Sequence, residues 1–216
     1  MPEGRETVSH PLFARLYARL GSKAEENGQA EHRRELLSGL AGRVIEVGAG
    51  HGLNFPHYPK TVTEIVAVEP EPHLRRLALK AIEKAEVPIK VVDGVADAIP
   101  AGDEEFDAAV ACLMLCGVPD QARALAEFRR VLRPGGELRF YEHVLADTAA
   151  LVRAQRIGDR SGLWPLVAGG CHASRDTARA IEAAGFEIER CRRFAFRAGL
   201  VQFLATPKIL GSARRG

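Results

Sequence analysis

The feature that most constrains the fold of this chain is an apolar run that ends in a glycine-rich loop. Residues 44–55 read VIEVGAGHGLNF, and Gly48, Gly50 and Gly52 follow the apolar run at every second position. A buried strand that stops at such a loop leaves main chain without side chains at one edge of a sheet. In open α/β sheets, ligands bind at the carboxyl edge of the strands, so the loop predicts both a fold class and a site.

The rest of the chain alternates between apolar runs and amphipathic segments. Between residues 73 and 86, for example, apolar residues recur at the 3.6-residue period of a helix. Strands that alternate with helices indicate a parallel sheet that is covered on both faces. We therefore predict an α/β, doubly wound, mostly parallel seven-stranded sheet of Rossmann-like type with an antiparallel edge. The strands predicted after the glycine loop lie at residues 64–70, 89–94, 106–116 and 137–144, followed by FEIERCRRF and the stretch around LVQFLATP.

The length of 216 residues suits a single α/β domain, and no internal repeat divides it. We predict one domain over 1–216, in which residues 1–42 form N-terminal helices, over 10–21 and 25–42, that act as a lid. Residues 43–144 form the ligand-binding core, and residues 145–216 form a cap followed by the last strands. Lid and cap together would exclude water from the site.

The composition excludes several classes of protein. A formal net charge of +2 gives no sign of a nucleic-acid partner. The longest apolar run, at residues 108–118, is too short to cross a bilayer, and the N-terminus has no apolar region of a signal peptide. The four cysteines show no CxxC spacing, which fits a reducing compartment. We therefore predict a cytoplasmic protein without a stable membrane anchor, and the oligomeric state stays open.

The spacing of the glycines argues against a dinucleotide or a phosphate loop. The dinucleotide fingerprint GxGxxG needs a third glycine for helix packing, and Leu53 stands at that position. The phosphate-binding pattern GxxxxGK[ST] does not occur. Glu69 stands at the end of the second predicted strand, 21 residues after Gly48, where a carboxylate accepts hydrogen bonds from ribose hydroxyls. Loop and acid together predict a nucleoside-binding site.

The pattern E-x-G-x-G-x-G resembles motif I of the class I S-adenosylmethionine-dependent methyltransferases, and matching motifs extend over about residues 43–144. RRVLRPGGELRFYE, for example, is similar to the family's helix, turn and fifth strand. The resemblance implies S-adenosylmethionine as cofactor and S-adenosylhomocysteine as product. It also implies that Glu46 faces the ammonium group of the cofactor and that Pro70 lies against the adenine.

The remaining cofactor contacts follow from the same resemblance. Many members carry Asp after the glycine of the adenine loop, and Val95 stands there in this chain. Main chain at Val95 and Ala96, or the Asp97 carboxylate, is left to bind the adenine. Tyr17 would reach the cofactor carboxylate or pack in the core, and Asn54 would bond the methionine end or cap a helix. The predicted cofactor-binding residues are Tyr17, Glu46, Gly48, Gly50, Gly52, Asn54, Glu69, Pro70, Val95, Ala96, Cys112 and Leu113.

The methyl acceptor is indicated by a narrower resemblance. Segments such as GHGLNFPHYP, LCGVPD and GGCHASRDT resemble bacterial relatives of the methyltransferase-like thiol methyltransferases. This resemblance implies methyl transfer to a small-molecule acceptor, with a thiol as the leading choice. The alternatives are an oxygen, nitrogen or carbon acceptor such as a lipid or secondary metabolite, a non-catalytic cofactor-binding protein, and a dehydrogenase.

Two histidines are the candidate catalytic groups, which would position the acceptor or remove its proton. His143 ends the fifth predicted strand on the ligand side of the sheet, and His172 follows Cys171 in an irregular segment. Each equally fits a hydrogen-bonded structural histidine, and Glu142 equally fits a satisfied carboxylate beside the sheet. Cys171 and His172 are adjacent, and no second pair stands at zinc spacing, so we predict no metal centre.

Overall fold

The structure is a computed structural model that describes residues 18, 19, 21, 25–196 and 206–216. Its strands form a single seven-stranded sheet. The strands are β1 (Gly42–Val47), β2 (Val62–Val68), β3 (Ile89–Val92), β4 (Phe106–Cys112), β5 (Leu132–His143), β6 (Phe186–Ala195) and β7 (Pro207–Arg215). Their order across the sheet is β3-β2-β1-β4-β5-β7-β6.

The first five strands are parallel, and the last two form an antiparallel edge. β1 pairs with β2 on one side and with β4 on the other, and β3 and β5 extend the sheet in the two directions. β7 pairs antiparallel with both β5 and β6. The predicted α/β fold with a mostly parallel sheet is therefore confirmed. Because the strand order reverses between β1 and β4, the loops after these two strands diverge and leave a crevice.

Six α-helices lie wholly within the described residues, and four of them pack on the sheet. Leu125, Phe128 and Ile181 are fully buried against one face. Leu36 and Ala78 are fully buried against the opposite face. The helices are α1 (Ala30–Leu37), α2 (Pro72–Ala81), α3 (Gln121–Val131), α4 (Ala149–Arg160), α5 (Leu163–Val167) and α6 (Thr177–Ala183). Both faces of the sheet are thus covered, which explains why its central strands are almost continuously apolar.

The last strand that the structure describes, β7, is not the stretch that the sequence singles out. Most of the predicted LVQFLATP strand lies outside the described residues, and β7 runs from Pro207 to Arg215. The segment KILGSARR is hard to recognise as a strand because Gly211 and Ser212 have low strand propensity. A Cβ at Gly211 would lie 2.7 Å from the ring of Phe140, so close packing against β5 requires glycine here.

The predicted N-terminal lid is described only in part. The helix predicted over 10–21 lies outside the described residues apart from 18, 19 and 21. The helix predicted over 25–42 is shorter, because a π-helical turn, Glu25–Gln29, precedes α1 and Gly28 has a φ of 99°. No helix within the described ranges is long and apolar enough to cross a membrane.

Candidate active site

A cavity of about 350 Å³ opens at the carboxyl ends of the central strands. Gly48 and Gly50 of the glycine loop line it, together with Glu69 after β2 and Leu113 after β4. His143, the last residue of β5, also lines it. The cavity therefore lies at the switch point of the sheet, where open α/β proteins bind their ligands.

The glycine loop presents bare main chain to this cavity. The N–H groups of Gly48 and Ala49 donate to the carbonyl of Val68 at 2.8 and 3.1 Å, which holds the loop against β2. Gly48 and Gly50 have φ angles of 73° and 59°, which residues with side chains rarely adopt. A Cβ at Gly48 would lie 2.8 Å from the Cβ of Met114. At Gly48, neither the backbone angle nor the available space favours a side chain.

The third glycine of the loop has a packing role. A Cβ at Gly52 would lie 2.7 Å from the Cβ of Ala81 and 2.8 Å from the ring of Phe55. Gly52 does not line the cavity. It allows the loop to pack against the end of α2, which is the task of the last glycine in dinucleotide-binding loops.

Glu69 is a buried carboxylate that main-chain groups hold in place. It lines the cavity although the residue is only 5% exposed. One oxygen accepts from the N–H of Gly50 at 2.7 Å, and the other accepts from the N–H of Glu71 at 2.9 Å. Burial raises the pKa of Glu69, and these two N–H groups lower it in part. Each oxygen keeps a lone pair, so Glu69 can also accept from hydroxyl groups of a ligand.

A short turn after β3 forms another part of the wall. Val95, Ala96 and Asp97 line the cavity, as does Pro70. The N–H of Ala98 donates to the carbonyl of Val95 at 3.3 Å and closes the turn. A wall of small apolar side chains with one carboxylate suits a flat heteroaromatic ring with an exocyclic amino group.

Glu46 lies behind the glycine loop in a buried polar network. Its two oxygens accept from the amide of Asn54 and the hydroxyl of Tyr58, both at 2.8 Å. The guanidinium of Arg33 donates to Asn54 Oδ1 at 2.8 Å and to Cys112 Sγ at 3.0 Å. Burial raises the pKa of Glu46 to about 7, against the lowering effect of Tyr58 and Asn54. None of these side chains lines the cavity, so the network supports the loop from behind.

Glu142 fixes the loop that follows β4. Leu113 has a φ of 57°, which is rare for a residue with a side chain. The fully buried Glu142 carboxylate accepts from the N–H groups of Met114 and Leu115 at 2.9 Å and of Cys116 at 3.2 Å. Burial raises the pKa of Glu142 to about 7, although these N–H groups lower it in part. Glu142 is therefore a satisfied carboxylate, and the loop it holds brings Cys116 to the cavity wall.

Two thiols and an imidazole meet in the cavity wall, and we call Cys116, His143 and Cys171 the Cys–His–Cys cluster. His143 Nδ1 lies 3.4 Å from Cys116 Sγ and 3.5 Å from Cys171 Sγ. The three atoms lie within 4.8 Å of one another. A hydrogen bond with Cys116 lowers the pKa of Cys171 well below that of an ordinary thiol, and the neighbouring His143 lowers it further. Ligand-type side chains thus converge on one point of the cavity.

Glycines allow the cap to approach the loop after β4. Gly169 and Gly170 have φ angles of 62° and 85°. A Cβ at Gly170 would lie 3.3 Å from the carbonyl oxygen of Gly117. The N–H of His172 donates to the carbonyl of Cys116 at 2.8 Å. The close main-chain contact at these positions is what brings Cys171 to the cluster.

A buried ammonium group lies in the same wall. Lys208 of β7 is 1% exposed and lines the cavity. Its Nζ donates to the carbonyl of Phe196 at 2.9 Å. Burial lowers the pKa of Lys208 to about 8, so the group is still mostly protonated at neutral pH. Its charge favours an anion in this part of the cavity.

The structure brings many of the predicted site residues to the cavity and leaves others outside its wall. Tyr17 lies outside the described residues. The predicted residues that line the cavity are Gly48, Gly50, Glu69, Pro70, Val95, Ala96, Leu113 and His143, and those that do not are Glu46, Gly52, Asn54, Cys112 and His172. The five in the second group support the loops that form the wall rather than contributing to it.

Sequence reasoning missed Cys116, Cys171 and Lys208 as cavity residues. Cys116 follows β4 and His143 ends the adjacent parallel strand β5, and the carboxyl ends of such strands meet at one edge of a sheet. That relation is a usable signal for the pair. No comparable signal exists for Cys171 or Lys208, because the cap shows no clear periodicity and β7 is not recognisable as a strand.

Comparison with known proteins identifies the family of this chain. Residues 45–140 match the family described as Methyltransferase domain. The chain is 33% identical over 196 residues to thiol S-methyltransferase TMT1A of Homo sapiens, which covers 85% of this chain and 78% of that protein. It is 32% identical over 180 residues to thiol S-methyltransferase TMT1B of Mus musculus, with 81% of this chain and 72% of that protein covered. An S-adenosylmethionine-dependent methyltransferase of Mesorhizobium loti has the same fold, with a TM-score of 0.63 at 22% identity over 88% of this chain and 99% of that chain.

Fold and relatives together define a Rossmann-like enzyme with a cavity at the switch point of its sheet. The chain belongs to the class I S-adenosylmethionine-dependent methyltransferases, and S-adenosylmethionine is its cofactor. It transfers a methyl group to a small-molecule acceptor. The residues present fit this cofactor, because Gly48 leaves no room for a side chain and the buried Glu69 keeps acceptor capacity for ribose hydroxyls.

Proposed function

We propose that this enzyme transfers the methyl group of S-adenosylmethionine to the sulfur of a small thiol. The observation that carries the proposal is a single cavity whose wall contains the glycine loop and Glu69 as well as the Cys–His–Cys cluster and Lys208. The relatives named thiol S-methyltransferase, which match most of this chain, support the same acceptor.

The donor side of the cavity comprises Gly48, Gly50, Glu69, Pro70 and Val95. The two glycines would let the methionine part of the cofactor approach main chain, and Glu69 would accept hydrogen bonds from the ribose hydroxyls. Pro70 and Val95 would contact the adenine. When bound, the cofactor supplies a methyl group on a positively charged sulfonium.

Glu46 has an indirect role in this proposal. Its carboxylate lies behind the glycine loop rather than in the cavity wall, and it is fully buried. In its ionised form the carboxylate would attract the cofactor's ammonium group through the loop, because burial weakens dielectric screening. Asn54, which donates to Glu46 at 2.8 Å, would keep the carboxylate oriented.

The acceptor side comprises Lys208 and the Cys–His–Cys cluster, and apolar residues of the same cavity suit an alkyl thiol. Met114, Val118 and Pro119 line the cavity and would bury an alkyl chain. The charge of Lys208 would favour the thiolate, which is the reactive form of a thiol. His143 would orient the acceptor sulfur or accept its proton. His172 would support the site through its main chain only.

The protein's main contribution to the reaction is positioning. Methyl transfer from a sulfonium is an in-line displacement, so the acceptor sulfur and the methyl group must be held in near-attack geometry. Rigid loops fixed by Glu69 and Glu142 would provide that alignment, and the apolar wall would exclude water. No covalent intermediate with the protein is required.

The location of the protein is part of the same proposal. All four cysteines are free thiols in the structure, and the acceptor must also be a reduced thiol. A cytoplasmic enzyme would meet such acceptors in the compartment that keeps thiols reduced.

The proposal is tested with an acceptor panel. Purified full-length protein is incubated with methyl-labelled S-adenosylmethionine and a set of alkyl thiols, phenols and amines, and products are identified by mass spectrometry. We expect a labelled methyl thioether and S-adenosylhomocysteine in equal amounts. Transfer to phenols or amines with none to thiols would contradict the proposal. Binding of S-adenosylhomocysteine without transfer to any acceptor would indicate a non-catalytic cofactor-binding protein.

A further inference from the structure

We propose that Cys116, His143 and Cys171 form a three-ligand Zn²⁺ site whose fourth position takes the acceptor thiolate. The inference deepens the proposed function and rests on it for the identity of the acceptor. The three ligands come from the loop after β4, the end of β5 and the segment before α6. Only the folded chain assembles them, so no zinc spacing is visible in the sequence.

The distances within the cluster match those between ligands of one zinc ion. Zinc binds sulfur at about 2.3 Å and nitrogen at about 2.0–2.1 Å with tetrahedral geometry, which puts a sulfur and a nitrogen ligand about 3.6 Å apart and two sulfurs about 3.8 Å apart. His143 Nδ1 lies 3.4 Å from Cys116 Sγ and 3.5 Å from Cys171 Sγ. All three atoms lie within 4.8 Å of one another. A zinc ion therefore needs only small side-chain adjustments to bind all three.

The chemistry of the donor set selects the metal. Two thiolates and one imidazole are soft and borderline ligands that suit Zn²⁺ and not Mg²⁺ or Ca²⁺. Catalytic zinc sites have three protein ligands and leave the fourth position to water or substrate, whereas structural sites have four protein ligands. Within the described residues, Cys116, His143 and Cys171 form the group of three His, Cys, Asp or Glu side chains whose ligand atoms lie close enough to share one metal ion. All three line the cavity, so the fourth position is open to the acceptor.

Charge balance favours a thiolate at the fourth position. Zn²⁺ with two cysteine thiolates and a neutral imidazole carries no net charge, and an added acceptor thiolate makes the complex singly negative. The buried ammonium of Lys208 lines the same cavity and would offset that charge. The three ligands account for metal binding, and the positive charge of Lys208 would stabilise an anionic sulfur ligand at the fourth position.

Further hydrogen bonds hold the main chain that carries the two cysteine ligands, as metal sites require. The N–H of Cys116 donates to Glu142 at 3.2 Å. The main chain next to Cys171 is tied to the same loop, since the N–H of His172 donates to the Cys116 carbonyl at 2.8 Å. Arg175 donates to the carbonyl of Leu115 at 2.7 Å and fixes the segment further.

In the proposed reaction step, the acceptor attacks the methyl group as a thiolate. Zn²⁺ binds the acceptor as R–S⁻, and the thiol proton leaves to solvent. A sulfur lone pair forms the bond to the methyl carbon, and the carbon–sulfonium bond breaks with its electron pair moving to the sulfur of S-adenosylhomocysteine. The neutral thioether binds zinc weakly and dissociates. In this step His143 holds the metal and does not take the proton.

The test measures metal binding by the reduced, full-length chain. We expect one tightly bound Zn²⁺ per chain by elemental analysis, and with Co²⁺ in its place we expect thiolate-to-cobalt charge-transfer absorption. Cys116→Ser, Cys171→Ser and His143→Ala should each weaken Zn²⁺ binding by more than about 100-fold, beyond the 10–100-fold typical of residues that only orient ligands. Cys191→Ser, which removes the exposed thiol of β6, should bind Zn²⁺ like the wild type.

The fourth position is tested by adding an alkyl thiol to the Co²⁺ form, which should change the absorption spectrum. Thiol methylation by a wild-type chain that binds no Zn²⁺ would overturn the metal site and leave the proposed function intact. Zn²⁺ binding without methylation of any thiol would contradict the proposed function instead. Unfolding is excluded for each variant by circular dichroism, and a metal-binding constant equal to that of the wild type in a folded Cys116→Ser or Cys171→Ser variant would also overturn the site.

Discussion

The proposed donor side and the proposed acceptor side of this cavity are built in different ways. The donor side comes from the glycine loop after β1, from Glu69 and Pro70 directly after β2, and from Val95 in the turn after β3. The acceptor side comes from Cys116, His143 and Cys171, which are separated along the chain and meet only in the fold. A ligand that binds main chain requires closely spaced glycines, which form a recognisable sequence pattern. A ligand that binds side chains from distant segments requires no local pattern.

The two sides also differ in how they are stabilised. The glycine loop depends on backbone angles that only glycine adopts easily, and on the buried Glu46 network behind it. The acceptor side depends on the Glu142 carboxylate, which holds three successive N–H groups of one loop. Substitutions should therefore separate the two sides.

Gly50→Val should abolish cofactor binding, because the substitution puts a side chain where main chain lines the cavity at a φ of 59°. Calorimetry with S-adenosylhomocysteine should show Kd raised by more than 100-fold, or about 2.8 kcal/mol. Gly135→Val is the matched control, since its φ is 74° and nothing lies within 4 Å of its Cβ position. The control should lose stability but keep its affinity. Equal affinity in both variants would mean that the loop does not contact the cofactor.

Glu142→Ala should lower the free energy of unfolding by at least about 3 kcal/mol, because two buried N–H groups and one part-buried N–H group lose their acceptor at about 1–3 kcal/mol each. Urea denaturation measures the change. Glu187→Ala on the exposed side of β6 should change stability by less than about 0.5 kcal/mol. A similar small change for Glu142→Ala would show that the loop carrying Cys116 is held by other contacts.

The pH dependence of stability should report on the network behind the donor side. Burial raises the pKa of Glu46 from 4.5 to about 7, so the folded chain retains a proton that the unfolded chain has lost in this range. The free energy of unfolding should therefore fall as pH rises from 4.5 to about 7, by roughly 2–3 kcal/mol from this group. Glu142 adds a fall in the same window, so the difference between wild type and Glu46→Gln isolates Glu46. A difference that stays constant with pH would contradict the assignment.

Glu69→Ala should weaken S-adenosylhomocysteine binding by about 1–3 kcal/mol, the range for hydrogen bonds to a charged group. The loss combines missing ribose contacts with a loosened Gly50, whose N–H donates to Glu69 at 2.7 Å. Asp93→Ala, which removes an exposed carboxylate near the same loops, should leave Kd unchanged. A loss below a few tenths of a kcal/mol for Glu69→Ala would place the ribose elsewhere.

The sequence is sufficient to predict the parallel part of the sheet and the edge at which the cavity opens. Continuous apolar runs indicate buried strands, amphipathic periodicity indicates helices on the sheet, and the glycine loop indicates where a ligand binds. All three patterns fit the same fold. Glu69 is predictable too, because the end of β2 lies beside the end of β1 in any sheet of this order. These features depend on neighbouring strands and not on distant contacts.

The remaining features depend on contacts that no local pattern encodes. Gly52 differs from Gly48 and Gly50 only in its neighbours, so its packing against α2 is invisible in the sequence. The Glu46 carboxylate lies behind the loop because Asn54 and Tyr58 bind it there. The approach of Cys171 depends on two glycines of the cap with left-handed backbone angles.

We propose that one cavity holds the methyl donor at the glycine loop and the acceptor thiol at the Cys–His–Cys cluster. A crystal structure of the full chain with S-adenosylhomocysteine and a small alkyl thiol tests it most directly. We predict ribose hydroxyls within hydrogen-bond distance of Glu69 and the cofactor sulfur facing a thiol held at the cluster. A nucleoside bound elsewhere, or a Glu69 side chain turned to solvent with the thiol remote from His143, would contradict the account.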